Sequence, residues 1–182
     1  AGMRVGAVSP GIPLGRGVAG LASHLVLANR ASSGKFAGRV DPKYGVAPSP
    51  RVVGMGEPVP KGGGTYRVGK PYTVGGRVYV PEEDPNYREE GMASWYGVAF
   101  HGRRTANGEV FDRQSISAAH KTMPLPSYAR VSNLVNGRSM VVRVNDRGPY
   151  HGGRIVDVSQ RVADMLDFRA SGSGRVKVEY LG

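Results

Sequence analysis

The second half of the chain, residues 91–182, consists of short apolar runs separated by turn residues. From Arg175 to Leu181 apolar and charged residues alternate strictly. A period of two places alternate side chains on one face of a β-strand. Asn136-Gly137, between two other runs, is the dipeptide most typical of a tight hairpin. These features restrict this half to a mainly β domain with short connections.

Five strands and one helix follow from the pattern. A helix is expected from Gln160 to about Asp167, with Ser159 as its N-cap and with Val162, Met165 and Leu166 on one face. Ser117–His120 is short and precedes two prolines, so it predicts a single helical turn. The strands are expected at residues 92–96, 129–134, 139–144, 154–158 and 175–181. Five or six short strands in 92 residues predict a small β-barrel.

The first half has a different composition. Glycine and proline contribute 28 and 13 of the 182 residues, and residues 30–90 are rich in both without periodic apolar residues. Such a segment buries too little apolar area to offset its ordering entropy. We expect a Pro/Gly-rich linker at 30–90, with a possible short hairpin at 72–80. Residues 1–29 resemble either a degenerate secretory signal or a disordered leader, so the domain proper is expected at 91–182.

The charge and the absence of cysteine narrow the function. A formal net charge of +11 favours a polyanionic partner such as nucleic acid, anionic lipid or an acidic cell-wall polymer. No dense basic run interleaved with aromatic residues is present, so nucleic acid is not expected as a partner. With no cysteine in the sequence, disulfides and thiolate metal sites are excluded, and lipid anchoring is not expected. No apolar run is long enough to cross a membrane, and the histidines lack metal-ligand spacing; neither metal nor cofactor is expected.

Four stretches of the second half are similar, in order and spacing, to one known family. They are Ala93-Ser94-Trp95-Tyr96-Gly97, Phe100 to Glu109 (FHGRRTANGE), Ser117 to Thr122 (SAAHKT) and Val144 to Pro149 (VNDRGP). This set resembles the RlpA-like lytic transglycosylases. The resemblance implies a six-stranded double-psi β-barrel related to expansins, with one or two short helices and a largely disordered segment before it.

The resemblance also implies an activity and a location. Family members cleave peptidoglycan between N-acetylmuramic acid and N-acetylglucosamine, acting on peptide-poor glycan strands and leaving 1,6-anhydro ends. We therefore expect a peptidoglycan-cleaving enzyme, endolytic or exolytic, in the periplasm or cell envelope of a Gram-negative bacterium, acting as a monomer in wall remodelling and cell separation. The alternative is a non-catalytic, expansin-like module that binds the glycan without turnover.

The resemblance assigns the catalytic positions to Asp146, Glu109 and His120. A lytic transglycosylase needs one carboxyl group that acts first as an acid and then as a base, because a substrate hydroxyl is the nucleophile. Asp146, at a strand end, is the preferred general acid/base, with a turn-capping aspartate as the structural alternative. Glu109 is its rival, and a shared cleft would couple the two carboxyls. His120 would orient a carboxylate or bind the sugar, unless it is simply a buried structural histidine.

Substrate binding is expected from residues around these positions. Trp95 and Tyr96 would form a sugar-stacking platform; adjacent strand residues face opposite sides, so one of them is expected in the core. The arginines would bind the lactyl carboxylate of muramic acid, with a solvated surface as the alternative. Asp157 lies within a strand and either lines the groove or faces solvent. The complete predicted binding set is Trp95, Tyr96, Arg103, Arg104, Asn145, Arg147 and Asp157.

Overall fold

The computed structural model describes residues 49–96, 100–150 and 152–182. The strands are β1 (Tyr72–Val74), β2 (Arg77–Tyr79), β3 (Arg88–Tyr96), β4 (Ser117–Ala119), β5 (Ser127–Asn133), β6 (Ser139–Asp146), β7 (Arg154–Ser159) and β8 (Ser173–Tyr180), and helix α1 is Gln160–Met165. The predicted leader, 1–29, and the beginning of the predicted linker lie outside the described residues. No helix in the described part of the chain is both long and apolar enough to span a membrane.

Six strands close into a barrel in the order β3-β7-β4-β6-β5-β8. Two neighbouring pairs are parallel, β3 with β7 and β4 with β6, and the others are antiparallel. The hairpin between β5 and β6 contains Gly137, whose φ of 76° is readily adopted only by glycine. The predicted mainly β, six-stranded barrel is confirmed.

Side chains alternate between the inside and the outside of the barrel along each strand, and small and branched apolar side chains fill the inside. On β6, for example, Val142 and Val144 are buried in the core while Arg143 between them is half-buried. Ser159 caps α1 as expected, its hydroxyl accepting the N–H of Val162. The expected helix face is wrong in one position, because Met165 is 46% exposed. The helix ends at Met165, and its buried apolar face consists of Val162, Ala163 and the C-cap residue Leu166, so Met165 points away from the core.

The prediction of a helical turn at Ser117–His120 is wrong. Residues 117–119 form β4, and all three are buried. Ala118 pairs with Val144 of β6 on one side and with Val158 of β7 on the other. Backbone groups at the centre of a barrel must be paired on both edges, and a helical turn would leave β6 and β7 unpaired. Non-local hydrogen bonding therefore overrides the local preference of Ser-Ala-Ala.

Residues 49–71, here called the strap, run along the barrel before the β1–β2 hairpin. The amides of Val52 and Val53 both donate to the carbonyl of Gly102. A Cβ on Gly102 would lie 2.0 Å from the Val53 carbonyl oxygen, and its φ is +81°, so only glycine fits this contact. The hairpin that follows packs through Tyr72 and Tyr79 against Tyr150. The predicted boundary between the linker, 30–90, and the domain, 91–182, stays a prediction.

Candidate active site

Asp146 ends β6 as a buried carboxyl, 2% exposed. Its Oδ1 accepts the backbone N–H groups of Ala106, at 3.0 Å, and Arg147, at 2.8 Å. Burial raises the pKa of Asp146 to about 8 against the opposing effect of these two hydrogen bonds. Both bonds go to Oδ1, and no described residue donates to Oδ2. The result is a fixed carboxyl that is mainly protonated at neutral pH.

A second carboxyl, Asp157, lies across β4 from Asp146. Ala119 pairs with Asp146 on one side and with Asp157 on the other. Burial raises the pKa of Asp157 as well, and the hydroxyl of Ser94 donates to its Oδ1. The negative charge of Asp157 contributes to the raised pKa of Asp146. Asp157 is therefore buried, and it belongs to the electrostatic surroundings of Asp146.

Glu109 is held in a different way. Arg143 donates from Nε to its Oε1 at 2.8 Å, and the amide of Asn107 donates to its Oε2 at 3.0 Å. Arg143 also donates to the hydroxyl of Tyr128 at 2.7 Å. The carboxylate is thus engaged with a cation and oriented from two sides.

Glu109 lines an open cavity of about 310 Å³ on the outer face of the barrel. Both polar and apolar residues line the barrel side, and the strap supplies the remainder. The amide oxygen of Asn145 is buried there and accepts no hydrogen bond from the described residues. The lining residues are Val59, Pro60, Lys61, Gly62, Glu109, Val110, Asp112, Ser115, Ile116, Ser117, Arg143 and Asn145. We call this cavity the groove.

Glu109 and Asp146 do not form a coupled pair. Arg143 and Asn145 of β6 line the groove with Glu109, whereas Asp146 is not among the lining residues. The register between β4 and β6 shifts between Ala118 and Ala119, beside Asp146. The carboxylate that acts on the pKa of Asp146 is Asp157. What links the two positions is the loop 105–109, which holds Asp146 through the Ala106 amide and carries Glu109 at its end.

His120 is a neutral, fully bonded histidine. Its Nδ1 accepts the backbone amides of Thr122 and Met123, each at 3.1 Å. Its Nε2 therefore carries the hydrogen and donates to the Tyr87 hydroxyl at 2.8 Å, which donates in turn to Glu89 at 2.6 Å. Burial, with the nearby Arg147 and Lys121 cations, lowers the pKa of His120 to about 3.

The His120 side chain thus contacts neither predicted catalytic carboxyl. Its backbone N–H donates to the backbone carbonyl of Asp146 at 2.9 Å. His120 consequently fixes the chain beside Asp146, and its imidazole is linked to the Glu89 carboxylate through the Tyr87 hydroxyl.

The two predicted platform aromatics divide between faces, as strand alternation requires. Tyr96 is buried with Phe100 and Phe111 in a small second core. Trp95 is half-buried, its indole N–H donating to the carbonyl of Arg169 at 3.1 Å while the Arg169 guanidinium lies 5.4 Å from the ring centre. Neither residue is among those that line the groove.

The arginines predicted to bind a carboxylate have other contacts. Arg147 is 1% exposed and donates to the backbone carbonyls of His120, Met123 and Val68, so it is not placed to meet a ligand. Arg103 donates to the carbonyl of Ser49 in the strap. Arg104 is exposed, donates to the carbonyl of Gly108 at 2.9 Å, and keeps the rest of its guanidinium at the surface.

Of the residues that line the groove, only Glu109 and Asn145 were singled out from the sequence. Three of the others show why. Arg143 had a visible signal, since a charge between two valines of a strand must lie on the outer face. Ser117 lies within a motif, but its assignment to a helical turn hid its position. Lys61 gave no signal, because a lysine in a Gly/Pro-rich stretch has the appearance of a linker residue.

A family model described as "Lytic transglycolase" matches residues 88–180, which is the whole barrel from the first residue of β3 to the last of β8. The chain belongs to this family. The resemblance that rested on four motifs is therefore confirmed.

Curated relatives agree with this assignment. The endolytic peptidoglycan transglycosylase RlpA of Pseudomonas aeruginosa is 56% identical over 110 residues, which is 60% of this chain and 32% of that protein. Proteins of the same name match from Rickettsia felis, 48% identical over 121 residues (65% and 53%), and from Neisseria meningitidis, 50% identical over 111 residues (60% and 46%). The chain thus spans between about a third and about half the length of these relatives.

Proposed function

We propose that this protein is a peptidoglycan lytic transglycosylase in which Asp146 is the general acid and base. It would cleave the bond between N-acetylmuramic acid and N-acetylglucosamine and leave a 1,6-anhydromuramic end. The observation that carries the proposal is the buried Asp146 carboxyl, whose pKa is raised to about 8. An acid with this pKa still holds a proton at neutral pH and gives it up readily when the leaving oxygen develops charge.

The mechanism needs only one such group. Asp146 protonates the departing glycosidic oxygen from Oδ2, since Oδ1 is occupied by two backbone amides. The resulting carboxylate is stabilised by the same two amides. It then accepts the proton of the muramic acid 6-hydroxyl as that oxygen attacks the anomeric carbon. The proton returns to Asp146 and no water is consumed.

Glu109 has the complementary role of holding the sugar. Its carboxylate lies in the groove in a fixed orientation set by Arg143 and Asn107. It supplies hydrogen-bond acceptors to sugar hydroxyls and a negative charge that favours an oxocarbenium-like transition state. Asn145, one residue before Asp146, lines the groove and offers its unpaired amide oxygen to a sugar hydroxyl. His120 acts as a positioning residue for the Asp146 backbone.

The setting follows from the substrate. Peptidoglycan lies in the cell envelope, so we expect the protein in the periplasm of a Gram-negative bacterium, acting as a monomer in wall remodelling. The net charge of +11 supports binding to a polymer that carries carboxylates.

The test is a digest of peptidoglycan stripped of its stem peptides by an amidase, run in ¹⁸O-labelled water and analysed by mass spectrometry. The proposal predicts anhydro-ended fragments without ¹⁸O, because the attacking oxygen comes from the sugar. Fragments with labelled reducing ends would indicate a hydrolase. Pelleting of the protein with the glycan, without any released fragment, would overturn the proposal in favour of a non-catalytic, expansin-like module.

A further inference from the structure

One wall of the groove comes from the strap and not from the barrel. Val59, Pro60, Lys61 and Gly62 face the groove opposite Glu109, Asn145 and their neighbours. This part of the strap lies well before residue 88, where the family match begins. The barrel alone therefore provides an incomplete groove, and the strap completes it.

Contacts on both sides fix this wall against the barrel. Before it, the amides of Val52 and Val53 donate to the Gly102 carbonyl. After it, the amide of Thr65 donates to the carbonyl of Asn107 at 2.9 Å, and Arg67 exchanges two backbone hydrogen bonds with Leu125. Because both ends are anchored by backbone bonds, the intervening residues are held beside the groove.

Gly64 allows the strap to approach the loop 105–109 closely. A Cβ added there would lie 2.7 Å from the Cγ of Glu109 and 2.7 Å from the side-chain nitrogen of Asn107. Such distances are shorter than van der Waals contact, so only glycine lets the strap approach this closely. A displacement of the strap at Gly64 is therefore expected to displace the Glu109 side chain.

Of the two cations that the described residues place at the groove, Arg143 and Lys61, only Lys61 is left without a carboxylate partner. Glu109 is paired with Arg143. Asp112 accepts the backbone N–H of Gln114 and lies 3.8 Å from His101. Lys61 forms no ion pair with any residue that the structure describes, and its side chain is exposed at the groove. An anionic group of a ligand in the groove would find its partner here.

We propose that Lys61 is a specificity-determining residue that binds the lactyl carboxylate of peptide-free muramic acid. In intact peptidoglycan the lactyl group ends in an amide to the stem peptide and carries no charge at that position. Hydrolysis of this amide releases the peptide and leaves a carboxylate. The inference rests on the proposed function, since it assigns the groove to the glycan.

The experiment compares two substrates with the full chain. Glycan strands freed of peptides are used either directly or after their carboxylates have been converted to neutral methylamides. We expect wild type to show a KM about fivefold higher on the amidated strands, the effect of one partly exposed ion pair. Lys61→Gln should have this raised KM on both substrates, with kcat nearly unchanged, and Lys61→Arg should restore the difference. Lys70→Gln, a change at an exposed strap lysine that does not line the groove, is the control.

A wild-type enzyme with equal KM on both strands, or a Lys61→Gln variant that still distinguishes them, would overturn the inference. Absence of anhydro products from either substrate would instead reject the proposed function. A second pair of variants tests the wall itself. Gly64→Ala, which displaces the strap, should raise KM on the charged strands, whereas Gly56→Ala, with nothing within 4 Å of the added Cβ, should not. A rise in kcat for Gly64→Ala would contradict a wall and indicate an obstructing lid.

Discussion

The substitution Asp146→Asn removes the acidic group of this side chain and keeps its shape. Asparagine keeps an Oδ1 that accepts the amides of Ala106 and Arg147, and it replaces the second oxygen with a neutral NH₂ group. In the wild type this position is also neutral in the folded protein up to a pH of about 8. The unfolded chain, however, loses the proton near the ordinary aspartate pKa. The two proteins therefore differ mainly in the charge of the unfolded state between these values.

The size and sign of the effect follow from proton linkage. Between pH 3.8 and about 8 the folded wild type binds one more proton than the unfolded chain, so the Asp146 contribution to the free energy of unfolding falls as pH rises. The slope is about 1.4 kcal/mol per pH unit, and the full interval corresponds to about 6 kcal/mol. Asp146→Asn lacks this slope. Its stability relative to wild type should grow by about 3 kcal/mol between about pH 5 and about pH 7.

Urea unfolding of both proteins at several pH values measures this difference, and subtraction cancels the groups that the two proteins share. Asp164→Asn, at a helix-surface carboxylate about half exposed, controls for the loss of one surface charge. A difference between Asp146→Asn and wild type that does not change with pH would refute the reasoning. So would a wild type that gains stability over the variant as pH rises, because Asp146 would then be ionised in the folded protein.

Two further variants test the hydrogen bonds around the site. Tyr87→Phe removes the hydroxyl between His120 and Glu89 and leaves the buried Nε2–H of His120 unpaired. The free energy of unfolding, measured in urea, should therefore fall by about 1–3 kcal/mol. An unchanged unfolding midpoint would contradict the hydrogen bonds assigned to His120. Ser159→Ala removes the cap of α1, whose hydroxyl accepts the Val162 amide, and should cost about 1 kcal/mol in the same assay, whereas a cost near zero would show that the cap contributes nothing.

The barrel was predictable where its signals are local. The alternation at Arg175–Leu181 and the turn at Asn136-Gly137 correspond to β8 and to the β5–β6 hairpin. Four short motifs were enough to identify the family, because their spacing is fixed by the order in which the strands cross the barrel. β4 was not predictable in the same way. Three residues carry no period, and their pairing partners are distant in the sequence.

The site was only partly predictable, for a related reason. Asp146 and Glu109 stand out as polar residues beside apolar runs, but the fold decides which face each occupies. The sequence predicted a binding role for Arg147, but its burial depends on the backbone carbonyls of His120, Met123 and Val68, which are distant in the sequence. The strap has the composition of a linker because its contacts with the barrel are made largely by backbone groups. Backbone hydrogen bonds leave no trace in residue type, so Lys61 could not be assigned to the groove.

The turnover number of Asp146→Asn on peptide-free glycan, compared with that of wild type, tests the central claim most directly. General acid and base catalysis by one group contributes about 10²–10⁴ in rate, so we predict a loss of kcat of at least about 100-fold, with pelleting on the glycan unchanged. Glu109→Gln, measured alongside, should weaken binding together with kcat. An Asp146→Asn variant that releases anhydro ends at a rate close to that of wild type would contradict the assignment of Asp146 as the acid and base.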